Sequence, residues 1–196
     1  MREISLHILD LLENSLEAGS TAVNLRIAEN SQLDLLEIEV ADNGRGMTRE
    51  MVRNVTSPFC TSRKTRRVGL GLPLLAAACE RCAGSLQIES TVGLGTKVRA
   101  VFQRSHIDLA PLGDIGSTVL SVALHQPPVA LRYVHEVDGR MFVLDTAEIA
   151  GELGEVPVTH PSVLRWLRTY LAGGLSELYG GDADAESAQY GGVAPS

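Results

Sequence analysis

Apolar residues near the start of the chain recur at helical spacing. Ile4, Ile8, Leu11 and Leu12 are followed by Ser15 and Leu16, and Gly19 supplies a stop signal. The pattern predicts an amphipathic helix over residues 3–18. Asp10 and Asn14 lie four residues apart on it, so both occupy one face, one turn apart. The period then changes from helical to two. Residues 21–28 (TAVNLRIA) and 33–41 (LDLLEIEVA) alternate as half-buried strands do, and their closeness in sequence predicts a hairpin. A glycine-rich turn follows, Asp42-Asn43-Gly44-Arg45-Gly46-Met47, and a short helix is predicted from Thr48.

Residues 54–68 (NVTSPFCTSRKTRRV) are polar and basic with little periodicity. Loops of that length inside a compact domain are commonly functional or disordered. Gly69-Leu70-Gly71-Leu72 leads into an apolar helix over residues 72–83, and residues 84–90 and 96–103 read as strands joined by the Gly93-Leu94-Gly95 turn. A Pro- and Gly-punctuated connection covers residues 105–116. Beyond it the pattern predicts a helix over 115–125, strands over 129–136 and 139–145, and helices near 146–152 and over 161–178. The expected organisation is an α/β domain over residues 1–104, a small α+β accessory domain over 105–179, and a disordered low-complexity tail over 180–196.

Composition narrows the function classes. The chain has 196 residues, of which 44% are hydrophobic, enough to bury a core. A net charge of −7 argues against a nucleic-acid footprint. It does not argue against a polyphosphate ligand, which responds to local groups and bound cations. No apolar run approaches the roughly 18 residues of a membrane span, and the start, Met1-Arg2-Glu3-Ile4, does not look like a signal peptide. Three cysteines, Cys60, Cys79 and Cys82, do not form a disulfide framework, so a cytoplasmic setting is expected.

Four short blocks carry candidate chemistry. In Asp10-Leu11-Leu12-Glu13-Asn14-Ser15, the Asn14 amide oxygen suits Mg²⁺ already held by phosphates and waters. Asp10, one turn earlier, is placed to orient or deprotonate a water, or is a plain surface carboxylate. In Asp42-x-Gly44-x-Gly46-Met47, a carboxylate at a strand end accepts hydrogen bonds from an exocyclic amine such as that of adenine. Gly44 and Gly46 let the backbone approach a ligand, and Met47 offers a soft apolar surface to a base. In the third block Gly69-x-Gly71 opens a helix, where backbone N–H groups favour anions, and Arg63, Lys64, Arg66 and Arg67 precede it. The fourth is Gly93-x-Gly95-Thr96, a tight turn with an inward hydroxyl. His7 reads as a packed or capping histidine, the pair Cys79-x-x-Cys82 as buried small residues, and Trp166 and Tyr170, four apart, as packing on the last helix.

Together the blocks resemble the nucleotide-binding boxes of the GHKL superfamily of Bergerat-fold ATPases, which includes histidine kinases, gyrase, the heat-shock chaperone and the mismatch-repair clamp. LLENSLEAGSTAV is similar to the mismatch-repair clamp, and PFCTSRKTRRVGLGLPLL to the lid of histidine kinases. Residues 3–103 carry the likeness. It implies a two-layer α/β sandwich with helices on one face of a mixed, mostly antiparallel sheet, and ATP with Mg²⁺ as ligands. Asn14 is then the metal ligand, Asp42 the amine acceptor supported by Thr96, and Asp10 the catalytic carboxylate, where the family's ATPases carry Glu. Met47, Gly44, Gly46, Thr61, Arg63, Lys64, Gly69, Leu70 and Gly71 complete the nucleotide-binding set. The strand and helix that usually precede the first block are not seen before Ile4.

The continuation SHIDLAPLGD resembles stand-alone ATP-binding proteins encoded beside iron hydrogenase or NADH-dehydrogenase-like subunits. The resemblance implies a protein partner, with such a redox subunit as one candidate and a homodimer left open. Three functions follow: a kinase acting on a separate partner, an ATP-driven conformational switch, or a non-catalytic nucleotide sensor.

Overall fold

The computed structural model describes residues 3–55 and 71–180. Its elements are α1 (Ile4–Glu17), β1 (Ala22–Asn30), β2 (Leu35–Asp42), α2 (Arg49–Val55), α3 (Gly71–Arg81), β3 (Ser85–Thr91), β4 (Gly95–Gln103), α4 (Ile115–Ala123), β5 (Ala130–Val137), β6 (Arg140–Asp145), α5 (Thr146–Leu153) and α6 (Pro161–Leu178). Every element expected within the described residues is present, with ends shifted by a residue or two.

The six strands form one sheet in the order β3-β4-β2-β1-β5-β6. All neighbours are antiparallel except β1 and β5, which run parallel from Ala22 opposite Ala130 to Glu29 opposite Val137. Alternation gives each strand a buried and a solvated side. Leu25, Ile27, Ile38, Val40, Ala100, Phe102, Leu131 and Tyr133 face the helices and are buried. The opposite side carries Arg26, Glu37, Glu39, Lys97 and Arg99, paired across strands as Arg26–Glu37, Arg99–Glu37 and Lys97–Glu39. One wet face and one packed face is the usual state of a mainly antiparallel sheet.

Helices α1, α3, α4 and α6 cover the buried side. The face of α1 that the periodicity marks as apolar inserts Ile4, Ile8, Leu11 and Leu12 into the core, where each is at least nine-tenths buried. Segment 109–112 closes the start of this helix: the Ile4 and Ser5 N–H groups donate to the Pro111 and Leu112 carbonyls at 2.9 and 2.8 Å. They would otherwise be unpaired donors of the first helical turn.

Residues 105–179 contribute the strands and helices expected of them, but they extend the sheet already present. The parallel β1–β5 pairing joins the two segments, and a single hydrophobic cluster runs from Ile4 to Leu178. The expected boundary near residue 104 therefore does not divide the sheet. A hairpin with Asp138-Gly139 at its turn, both at positive φ, links β5 to β6. The Asp138 carboxylate also accepts from Ser31 N–H and Ser31 Oγ at 2.7 and 2.6 Å, fastening that hairpin to the β1–β2 turn.

Of the residues read as packing, His7, Cys79 and Cys82 are buried, while Trp166 and Tyr170 remain part-exposed and pack on each other. His7 is 5% exposed, and its pKa is lowered, first by burial and then by the positive charges of the N-terminus and Arg81. Cys79 and Cys82 are buried free thiols, and burial pushes Cys79 up to about 12, which leaves it inert at neutral pH. Trp166 and Tyr170 stack on α6 with centroids 5.1 Å apart. Cys60 and the tail from residue 181 lie outside the described residues.

Candidate functional site

Three strands end together on the helix-facing side of the sheet. Asp42 closes β2, Thr96 lies beside it near the start of β4, and Ser90 lies beside Thr96 near the end of β3. The strand period puts their side chains on the same face as Val40, Val98 and Ile88, one step beyond the apolar rows. The site is thus where the core face of the sheet runs out and polar residues replace apolar ones.

The Asp42 carboxylate is fixed from two directions. Ser15 Oγ on α1 donates to Oδ2 at 2.9 Å, and the Gly44 N–H donates to Oδ1 at 2.8 Å. Each carboxylate oxygen keeps lone pairs for a further donor. Gly44 is buried, and a methyl group there would lie 2.7 Å from both the Ala18 Cβ and the Ser20 Oγ. Gly46 has φ +65°, and a methyl group would come within 2.0 Å of the Thr91 carbonyl oxygen. A side chain at Gly46 would therefore push the turn off the β3–β4 connection. The next residue, Met47, donates its N–H to Ser90 Oγ at 2.8 Å. Ser90 Oγ also lies 2.9 Å from the Gly95 carbonyl oxygen and 2.8 Å from Thr96 Oγ1.

Helix α1 brings its own stripe. His7, Asp10 and Asn14 project from one side of the helix, by their spacing. Asp10 meets the first residue of α3: a methyl group on Gly71 would lie 3.2 Å from Asp10 Oδ2. Burial raises the Asp10 pKa. Asn14 is exposed and immediately precedes Ser15, which holds Asp42.

The structure therefore brings Asp10 beside Gly71, joins Asp42 to Gly44, joins Met47 to Thr96 through Ser90, and sets Thr96 opposite Asp42 in the β2–β4 register, with Gly46 packed against Thr91. Thr61, Arg63, Lys64, Gly69 and Leu70 lie outside the described residues. Four polar residues were not assigned roles from sequence. Ser15 and Ser20 are buried, Ser20 Oγ donating to the Ser15 carbonyl at 2.7 Å. Asn43 Oδ1 accepts from the Thr21 and Ala22 N–H groups at 2.9 and 3.0 Å and so sets the start of β1 beside the end of β2. Ser90 shares the parity of Leu86 and Ile88, so a polar residue on an apolar face was the available signal.

The chain shares its fold with the N-terminal domain of a DNA repair protein, at a TM-score of 0.56 and 13% identity, over 89% of this chain and 59% of that one. The family follows from the sequence. Residues 2–106 match the family model described as histidine kinase-, DNA gyrase B-, and HSP90-like ATPase, and the chain belongs to that family. ATP is accordingly its ligand. Relatives include sporulation kinase D of Bacillus subtilis, 36% identical over 91 residues, and the histidine protein kinase DivJ of Caulobacter vibrioides, 30% identical over 115 residues. The matches cover 46% and 57% of this chain, but only 18% and 19% of those kinases. Among the described residues no helix is long and apolar enough to cross a membrane.

Proposed function

We infer that this chain binds ATP with Mg²⁺ between α1 and the glycine turn, and transfers the γ-phosphate to a separate protein. The observation that carries this reading is the Asp42 carboxylate, held by Ser15 and Gly44 and flanked by Thr96 at the open end of the sheet. Its remaining lone pairs suit the adenine amine, and the missing side chain at Gly44 lets the turn close against Ala18 and Ser20 so that the Gly44 N–H reaches the carboxylate. Asn14 supplies one neutral oxygen, which fits a cation that takes its other ligands from phosphates and waters. That ion would neutralise charge on the phosphates; the protein groups place and desolvate them. Asp10 is the catalytic carboxylate. Its raised pKa brings it nearer the range of a working base, although its side chain is a methylene shorter than Glu. Thr61, Arg63, Lys64, Gly69 and Leu70 complete the phosphate side, as their sequence pattern implies.

Likeness to histidine kinases supports phosphotransfer to a partner. Labelled ATP incubated with this chain and proteins encoded beside it should yield an acid-labile, base-stable phosphoprotein. ATP turnover without transfer to any of them would refute the kinase reading. In the same assays Asn14→Ala should raise the Kd for ATP about tenfold in Mg²⁺ and leave it unchanged in EDTA, since one ligand bond is removed. An equal effect in both conditions would remove Asn14 from the metal.

A second reading is favoured by the segment that caps α1. Pro111 and Leu112 hold the start of the helix that carries Asp10 and Asn14, so nucleotide binding is mechanically linked to residues 105–114. An ATP-driven switch toward a partner, including a hydrogenase- or NADH-dehydrogenase-like subunit, or a second copy of this chain, would use that link. Nucleotide-dependent hydrogen exchange at Ile4 and Ser5 would support it, and identical exchange with and without ATP would exclude it.

A further inference from the structure

We propose that Ser90 sets the base selectivity of this site by holding the Thr96 hydroxyl as a hydrogen-bond acceptor. The proposal rests on the reading of Asp42 and Thr96 as the base pocket. Ser90, Thr96 and Asp42 form one cross-strand row over β3, β4 and β2, so a change at Ser90 reaches the pocket through a single side chain.

The proton count fixes the direction. A serine hydroxyl has one proton and two lone pairs. The Met47 N–H is a donor only, so it takes one lone pair of Ser90 Oγ at 2.8 Å. The Gly95 carbonyl is an acceptor only, so it takes the Ser90 proton at 2.9 Å. What remains toward Thr96 Oγ1, 2.8 Å away, is the second lone pair of Ser90. Thr96 is therefore the donor in that bond, and its one proton points away from Asp42. Its free lone pairs face the pocket, beside a carboxylate that also only accepts.

A site edged by two acceptors selects a base edge that donates. The adenine 6-amino group carries two N–H donors. Hypoxanthine and guanine carry a keto oxygen at that position, which would face Thr96 and Asp42 with no proton between them, and an unpaired buried acceptor is costly. Without the Ser90 lone pair, the Thr96 proton is free to turn inward and meet a keto oxygen. Asp42 would still reject it, so the loss of discrimination is partial. Ser90 itself touches no ligand and acts as a positioning residue.

The test compares the Kd values of ATP and inosine triphosphate by calorimetry on the full chain. A ratio of two affinities does not depend on the fraction of protein that is active. Ser90→Ala should narrow the preference for ATP about tenfold, the worth of one hydrogen bond. Ser90→Thr, which keeps the hydroxyl, should retain the preference. In a Thr96→Val background, Ser90→Ala should leave the ratio unchanged, because no proton remains to be redirected. Equal loss of both nucleotides in Ser90→Ala would mean that Ser90 only shapes the Gly46–Met47 backbone, and would overturn the proposal. So would a narrowing that persists with Thr96→Val. If Asp42→Asn leaves ATP affinity intact, the base-pocket reading falls and the Ser90 proposal with it. If Asp42→Asn weakens ATP while Ser90→Ala leaves the ratio untouched, the pocket stands and only the role of Ser90 is lost.

Discussion

An Asp42→Asn variant is expected to bind ATP about a hundredfold more weakly while retaining its fold. The carboxylate is acceptor-only, and both of its oxygens already receive a donor, Ser15 Oγ at 2.9 Å and the Gly44 N–H at 2.8 Å. Asparagine keeps one acceptor oxygen. The Gly44 N–H cannot rotate and claims that oxygen, which leaves the amide NH₂ on the side of Ser15. Ser15 can turn its hydroxyl and accept instead, since its proton also has the Leu11 carbonyl within 3.2 Å. The fold therefore loses little. The base loses a charged acceptor and meets an N–H donor where it presents another, a change worth about 3 kcal/mol. Titration of fluorescent ATP into both proteins, with thermal melts alongside, checks both halves. Unchanged affinity with an unchanged melt would remove Asp42 from the base pocket.

The second large effect lies at the other end of β1. Glu29 leaves that strand beside Arg104 and the buried His135, and Tyr179 at the end of α6 closes over it. The hydrogen bonds have one self-consistent direction: Tyr133 Oη donates to His135 Nδ1, His135 Nε2–H donates to Glu29 Oε1, and Tyr179 Oη donates to the same oxygen. Burial pushes the Glu29 carboxyl up, but the bonds from His135, Tyr179 and Arg104 outweigh it and hold the group at about 2. The folded value lies below the unfolded one, so ionised Glu29 stabilises the fold. That contribution is complete above about pH 4.5 and is lost as pH falls toward 2. Glu29→Gln should destabilise the protein by about 3 kcal/mol at pH 7. The gap from wild type should close as pH drops below about 4, because the variant has no proton to take up. Urea unfolding at pH 7, 5 and 3.5 reads this directly. A gap that stays constant over that range would show that the carboxylate's charge is not what the network uses.

These two sites differ in how far the sequence reveals them. Asp10 and Asn14 are legible because helical spacing is local: four residues apart means one face, whatever the helix packs against. Asp42 with Gly44 and Gly46 is legible for the same reason, since a turn that ends an alternating strand is written in consecutive residues. Ser90 is half legible. Alternation puts it on the apolar side of β3, but only the registers Ser90–Thr96 and Thr96–Asp42 place it beside the pocket. Ser15 sits inside the first block, yet nothing local shows that it faces a carboxylate 27 residues away. The Glu29 network is illegible in sequence, because Glu29 and Tyr179 are 150 positions apart.

The sequence by itself determined the elements of this protein, their buried faces and the family to which residues 2–106 belong. Periodicity, turn residues and the spacing of short blocks depend on neighbours along the chain, and those are known without a fold. Only the tertiary structure decided that residues 105–179 add their strands to the same sheet through the parallel pairing of β5 with β1. It also decided that their last helix ends on Glu29. Strand alternation states which side of a strand is buried but not which strand lies beside it, and that choice is made by side chains that meet only when the core closes.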